Sequence, residues 1–156
     1  MRVLALDLGS KRIGVAVSDA TGVLASPLTT LARDRDRRAD HRAIATLVAA
    51  EGATLVLVGL PLNMDGSRGP AARGAEEEAA DLAEVLAVDV ELVDERLTTV
   101  AADRALVGRG KRAPERRRIV DQTAATVLLQ GWLDGRQGSA HRDSERRQGP
   151  HRDSVS

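Results

Sequence analysis

Hydrophobic and polar positions divide this chain into short apolar runs and longer amphipathic ones. Val3 to Leu8 is apolar on both alternating faces, Val3, Ala5 and Asp7 against Leu4, Leu6 and Leu8, with Asp7 the exception. That pattern predicts a strand covered on both sides. The turn Gly9-Ser10-Lys11-Arg12 and a second apolar run ending at Asp19 make Arg2 to Asp19 a predicted β-hairpin. Val23 to Leu31 predicts a third strand, with Pro27 pointing to an exposed edge or an irregularity. Arg33 to Arg38 alternates Arg and Asp and reads as a solvated connection. Ile44, Leu47 and Val48 mark an amphipathic helix from about Ala39 to Glu51, closed by Gly52. His41 falls one turn before Ile44 and reads as a first-turn helix residue rather than a metal or catalytic group.

Thr54 to Gly59, TLVLVG, is a continuous apolar run typical of an interior parallel strand, and Leu60 to Pro70 is too polar and turn-rich to be core. Ala71 to Ala87 predicts a helix with Ala79, Leu82, Val85 and Leu86 buried and Glu76-Glu77-Glu78 solvated. Val88 to Asp94 alternates as a half-exposed edge strand. A short helix over Leu97 to Val107, a loop over Gly108 to Glu115 and a last helix over Arg117 to Asp134 follow. The order β-β-β-α-β-α-β-α-α predicts an α/β fold, a mixed sheet with helices on both faces. From Gly138 the composition changes to a polar tail carrying HRDS at 141 and 151. Residues 1–137 therefore read as one domain and 138–156 as a disordered tail.

Composition narrows the function classes. With 156 residues, 42% hydrophobic and 29% charged, the chain reads as a single soluble domain, with no signal peptide and no run able to span a membrane. It contains no cysteine, which excludes disulfides, thiol nucleophiles and cysteine-based zinc sites and fits a cytoplasmic setting. Basic and acidic side chains balance at 23 each, so nucleic-acid binding would have to come from local clustering. Trp132 is the sole aromatic residue, which argues against base stacking and leaves backbone or shape recognition.

Asp7 is the candidate centre of chemistry, because an ionised carboxylate in a covered strand is costly unless paired, hydrogen-bonded or bound to a metal. A turn-capping role is the competing explanation. In open α/β sheets, sites form beyond the carboxyl ends of strands, where Asp7 and the pair Asp94-Glu95 both fall. On the last helix Asp121 shares a face with Ala124, Ala125, Leu128 and Trp132, and the two alanines would allow close approach to the sheet. Three carboxylates brought together need a cation, and without cysteine or a core histidine pair the fitting ion is Mg²⁺ or Mn²⁺. Such a site suits metal-dependent phosphodiester cleavage, in which two ions about 4 Å apart act on the attacking and leaving oxygens. Alternation from Val88 puts Asp94 in line with Val90 and Leu92, so periodicity does not choose between Asp94 and Glu95.

Four stretches, DLGSKRIGVAVSD (7–19), VGLPLNMDGSRGP (58–70), DERLTT (94–99) and VDQTAATVLLQGWL (120–133), together resemble the YqgF/RuvX family. This family comprises RNase H-like pre-16S rRNA nucleases related to Holliday junction resolvases, and the resemblance covers residues 1–135. It implies an RNase H-like fold with a mixed five-stranded sheet, catalytic and metal-binding acids at Asp7, Glu95 and Asp121, and maturation of the 5′ end of the 16S rRNA precursor. By choosing Glu95 it also implies a bend or bulge at the end of the last strand.

Arg104 to Arg118 carries seven basic side chains and one acid. Arg109, Lys111, Arg112, Arg116, Arg117 and Arg118 are thus candidate phosphate contacts, extended by Lys11, Arg12, Arg68 and Arg96, with Asn63 either orienting a phosphate or forming a turn. Precursor rRNA is the leading substrate and branched DNA, as for a Holliday junction resolvase, the alternative. A homodimer is left open, and no membrane partner is expected. Two readings come from other classes. A non-catalytic accessory factor in ribosome assembly or transcription is one. An actin-like ATPase or sugar kinase is the other, although it would need a second subdomain.

Overall fold

In the computed structural model, which describes residues 1–97 and 124–136, the elements run β1 (Val3–Leu8), β2 (Arg12–Ser18), β3 (Ala25–Ala32), α1 (Arg37–Glu51), β4 (Leu55–Leu60), α2 (Pro70–Val85) and β5 (Asp89–Asp94). A single 3-10 turn, Glu95–Leu97, follows β5, and residues 124–136 are helical. The expected helix over Leu97 to Val107, the loop after it and the tail lie outside the described residues.

The sheet has the order β3-β2-β1-β4-β5. β1 pairs antiparallel with β2 and parallel with β4, and β4 pairs parallel with β5. This is the expected mixed five-stranded sheet, and its three parallel strands end on one side of the molecule. β3 is an edge strand whose register with β2 shifts between Val15 and Ala16, next to Pro27, so both readings of that proline hold.

Strand alternation sorts the core into two layers. Leu4, Leu6, Ile13, Val15, Val56 and Val58 pack with Ile44 and Val48 of α1 and Ala79 and Leu82 of α2. Val3, Ala5, Ala16 and Leu57 pack on the opposite face with Ala125, Leu129 and Leu133 of the 124–136 helix. Gln130 pins that helix to the start of β3, accepting from the Ala25 amide at 2.9 Å and donating to the Val23 carbonyl at 3.0 Å. Helices thus cover both faces, as the element order predicts. α1 begins at an Asp36 cap whose side chain accepts from the Arg38 amide, and it closes at Gly52 in the left-handed conformation.

Three sequence expectations need correction. Val85 is 53% exposed, and the buried stripe of α2 runs instead through Ala72, Ala75, Glu78, Ala79 and Leu82. Glu78 is not part of a solvated face, being only 3% exposed. The Arg33 to Arg38 connection is not wholly solvated either, because Arg33 reaches inward and donates two bonds to the Glu78 carboxylate at 2.7 and 2.8 Å. His41 Nε2 donates to the same carboxylate at 2.9 Å, which explains a histidine buried in a helix that has no ligand set. Burial pushes the Glu78 carboxyl up, but bonds from Arg33 and His41 and the charges of Arg33 and Arg37 outweigh it and hold the group below its usual range. That contribution to stability is full above the ordinary glutamate range and is lost as pH falls through the lowered value.

Hydrophobic burial in α2 gives a direct check. Leu82→Ala removes a fully buried side chain and should cost about 2–5 kcal/mol in urea unfolding. Val85→Ala, although on the stripe the sequence suggested, should stay within about 0.5 kcal/mol of the parent.

Candidate active site

Asp7 lies near the carboxyl end of β1 with Val3 and Ala5 on its side of the strand, the layer covered by the 124–136 helix. It is 5% exposed. Its register partner on β2 is Gly14, and one step beyond the Leu6–Val58 pair the parallel register sets it beside Gly59 of β4. Both neighbours across the sheet therefore lack a side chain, and the carboxylate stands in a gap in an otherwise filled apolar layer.

Glu95 fills the other side of that gap. β4 and β5 pair residue for residue from Leu55–Asp89 to Leu60–Asp94, so β5 contains no bulge. The chain bends only after Asp94, into the 3-10 turn, which gives the expected bend without a bulge. Val93 packs on the same layer as Leu57, and Glu95, two residues on, has its carboxylate over Gly59. A Cβ at Gly59 would lie 2.6 Å from Glu95 Oε1, so the absence of that atom is what admits the carboxylate. Glu95 is 4% exposed, and with neighbouring strands about 4.8 Å apart its site adjoins that of Asp7.

Asp94 has a different task. It accepts from Arg96 at the backbone amide (2.9 Å), Nε (3.2 Å) and Nη2 (2.8 Å). The side-chain bond to Arg96 holds its carboxyl below the usual range. It thus ties down the turn that carries Glu95.

The described cations surround this edge unevenly. Lys11 is exposed and Arg12 half-buried in the β1–β2 turn. Arg68 pairs with Glu76 at 3.1 Å, and Arg96 pairs with Asp94 and lies against Gly66. Asn63 donates to Ser67 Oγ at 2.9 Å while its carbonyl accepts from the Gly66 amide at 2.8 Å, so it has the turn-forming role in the 60–70 loop. Asp65 accepts from the Ser67 hydroxyl and amide, and those bonds lower its carboxyl. Arg109, Lys111, Arg112, Arg116, Arg117, Arg118 and Asp121 lie outside the described residues.

Sequence reasoning missed Gly59 and Gly14 as parts of the site. A glycine closing the apolar run TLVLVG was the available signal, since glycine in a strand often marks a close approach. The donor set suits a hard divalent cation, because Asp7 and Glu95 offer only oxygen and sit in a cradle that a Cβ would fill. Among the described residues no group of three such donors occurs.

The RuvX family model, described as a Holliday junction resolvase, matches residues 1–135. A Myxococcus xanthus protein named "Putative pre-16S rRNA nuclease" is 51% identical over 134 residues, 86% of this chain and 88% of its own length. A protein of the same name from Halalkalibacterium halodurans is 44% identical over 138 residues, 88% of this chain and 99% of its own. Among solved structures, Thermus thermophilus RuvC in complex with a Holliday junction substrate superposes with a TM-score of 0.53 at 14% identity, covering 89% of this chain and 97% of that one. This likeness carries the fold, which is RNase H-like. The match over residues 1–135 and the identity to its members place the chain in the RuvX family.

Proposed function

We propose that this protein is a divalent-metal-dependent endonuclease whose substrate is the 16S rRNA precursor. The observation that carries the reading is the pair of buried carboxylates, Asp7 at the end of β1 and Glu95 just after β5, which flank Gly59 of the intervening parallel strand β4, with the Glu95 carboxylate lying over that glycine. Two nearly water-excluded acids that flank one glycine offer a bound cation a concentrated set of oxygen ligands. The names of the relatives, pre-16S rRNA nucleases, support the substrate. The family's description as a resolvase supports branched DNA as the second reading.

Asp121 is proposed as the third acid. Its support is the motif around it and the position of Ala125, four residues on, in the same packed layer as Val3 and Ala5. Asp7, Glu95 and Asp121 would hold Mg²⁺ or Mn²⁺, which when bound supplies activation of water and neutralisation of charge at the scissile phosphate. The chain's own part is to hold Asp7 and Glu95 nearly excluded from water, so that their charge acts at short range. Lys11 and Arg12 at the β1–β2 turn, Arg68 and Arg96 near the 60–70 loop, and the 109–118 cations are proposed to grip the phosphate backbone on either side, with Asn63 ordering the loop between. Arg68 and Arg96 already have carboxylate partners, which leaves less of their charge for that grip. No helix among the described residues is long and apolar enough to cross a membrane, and we place the enzyme in the cytoplasm with its rRNA.

The direct test incubates the full chain with a labelled precursor-rRNA fragment and, separately, a four-way DNA junction, each with Mn²⁺, Mg²⁺ or EDTA. The reading expects metal-dependent cutting of the RNA. Asp7→Asn and Glu95→Gln should each lower it more than about 100-fold, beyond the effect typical of groups behind a metal ligand. Symmetric cutting of the junction alone would transfer the same site to branched DNA, and no cutting of either would favour an accessory role. Gly59→Ala should lower cleavage about 100-fold by displacing the Glu95 carboxylate. Its melting temperature should stay within a few degrees of the parent, the scale of about 1 kcal/mol for a domain of this size.

A further inference from the structure

One buried ionic group has no part in the chemistry above. Arg33 leaves the end of β3 and is held from behind by α1 and α2. Its terminal nitrogens donate to both oxygens of Glu78 at 2.7 and 2.8 Å and to Asp40 at 3.3 Å. His41 braces the same Glu78 oxygen, and the Asp34 amide holds the other oxygen of Asp40 at 2.8 Å. The guanidinium therefore has little freedom of its own.

What it holds in front is the turn between β1 and β2. Arg33 Nε donates to the Gly9 carbonyl at 2.9 Å, and its backbone amide donates to the Lys11 carbonyl, also at 2.9 Å. Gly9 in turn donates its amide to the Asp7 carbonyl at 3.1 Å. The turn is folded so tightly that a Cβ at Gly9 would come within 2.6 Å of the Arg12 carbonyl oxygen. One residue thus grips two carbonyls of the segment that begins at Asp7 and carries Lys11 and Arg12.

A buried ion pair by itself is weak evidence for stability, because desolvation offsets much of its attraction. An apolar side chain could fill the space between α1 and α2. It could not donate to the Gly9 carbonyl, so the side-chain bond to the turn is the part of this network that packing does not replace.

We propose that Arg33 is a positioning residue, locking the β1–β2 turn so that Lys11 and Arg12 meet substrate phosphates at a fixed distance from Asp7. This rests on the nuclease reading for its consequence in catalysis, but not for its effect on the turn. Glu78, with Asp40 and His41 behind it, aims the guanidinium.

Arg33→Lys and Glu78→Gln in the full chain test it, by amide hydrogen exchange and by steady-state cleavage. Arg33→Lys keeps a charge for Glu78 but loses the fork that serves two partners at once. The amides of residues 9–12 should exchange about tenfold faster or more, while those of Val3–Leu6 stay unchanged, because only a local opening has become easier. KM for the nucleic acid should rise about tenfold, the cost of a weakened contact of about 1.4 kcal/mol, with kcat changed less. Glu78→Gln should move both readouts in the same direction by less. Unchanged exchange at 9–12 in both variants, acceleration spread equally over β1 and α1, a loss confined to kcat, or failure of both variants to fold would each overturn the proposal in favour of a purely structural ion pair. If the wild type cuts no nucleic acid, the nuclease reading fails on its own, and the exchange comparison still decides whether Arg33 holds the turn.

Discussion

The structure turns on the burial of two carboxylates in one gap of an apolar sheet. Asp7 and Glu95 are each about as hidden as the core leucines, and the layer beneath them is built from Val3, Ala5, Leu57, Ala125 and Leu129. Placing two negative charges there opposes folding by several kcal/mol unless the charge is compensated. Every local feature at the strand ends serves that arrangement. Gly59 vacates the volume that the Glu95 carboxylate takes, Gly14 places no side chain on the other flank of Asp7, and Asp94 fastens the turn by accepting from three nitrogens of Arg96. Buried acids at strand ends suit a cation-dependent phosphodiesterase, since a cation bound to the folded chain alone stabilises it.

The opposite face of the sheet does different work. There the apolar layer between the strands and α1 and α2 is continuous, and its polar members, Glu78, His41 and Asp40, are satisfied by one another and by Arg33. That network joins the two helices to the turn that follows Asp7. The sheet therefore separates the layer that buries Asp7 and Glu95 from one in which Glu78, Asp40, His41 and Arg33 pair with one another.

Much of this was legible in the sequence, for identifiable reasons. Strand β1 and the Gly52 stop were readable because a doubly covered strand and a helix ended by glycine are local patterns. Asp7 stood out as the single polar residue in such a strand. The Glu95 assignment was not readable from alternation alone, since β5 is an edge strand with Leu92 exposed and Val93 packed, so apolar character does not mark its covered face. The motif resemblance supplied that choice, and the room that Gly59 leaves for the Glu95 carboxylate has no periodic signature in the sequence. Glu78 was misread because an acidic run looks solvated until the partner, Arg33, arrives from 45 residues away. Long-range pairing of this kind leaves no periodic trace.

The central claim is that the Asp7 and Glu95 carboxylates form one cation-holding site at the strand ends. Paramagnetic Mn²⁺ titrated into the ¹⁵N-labelled full chain tests it most directly, because amide signals near the bound ion broaden first. The account predicts early loss of the Asp7, Leu8, Gly59 and Glu95 amides, abolished by Glu95→Gln. Broadening centred on Asp65 and Asp94, or on the 138–156 segment, with the strand-end amides still sharp, would contradict it.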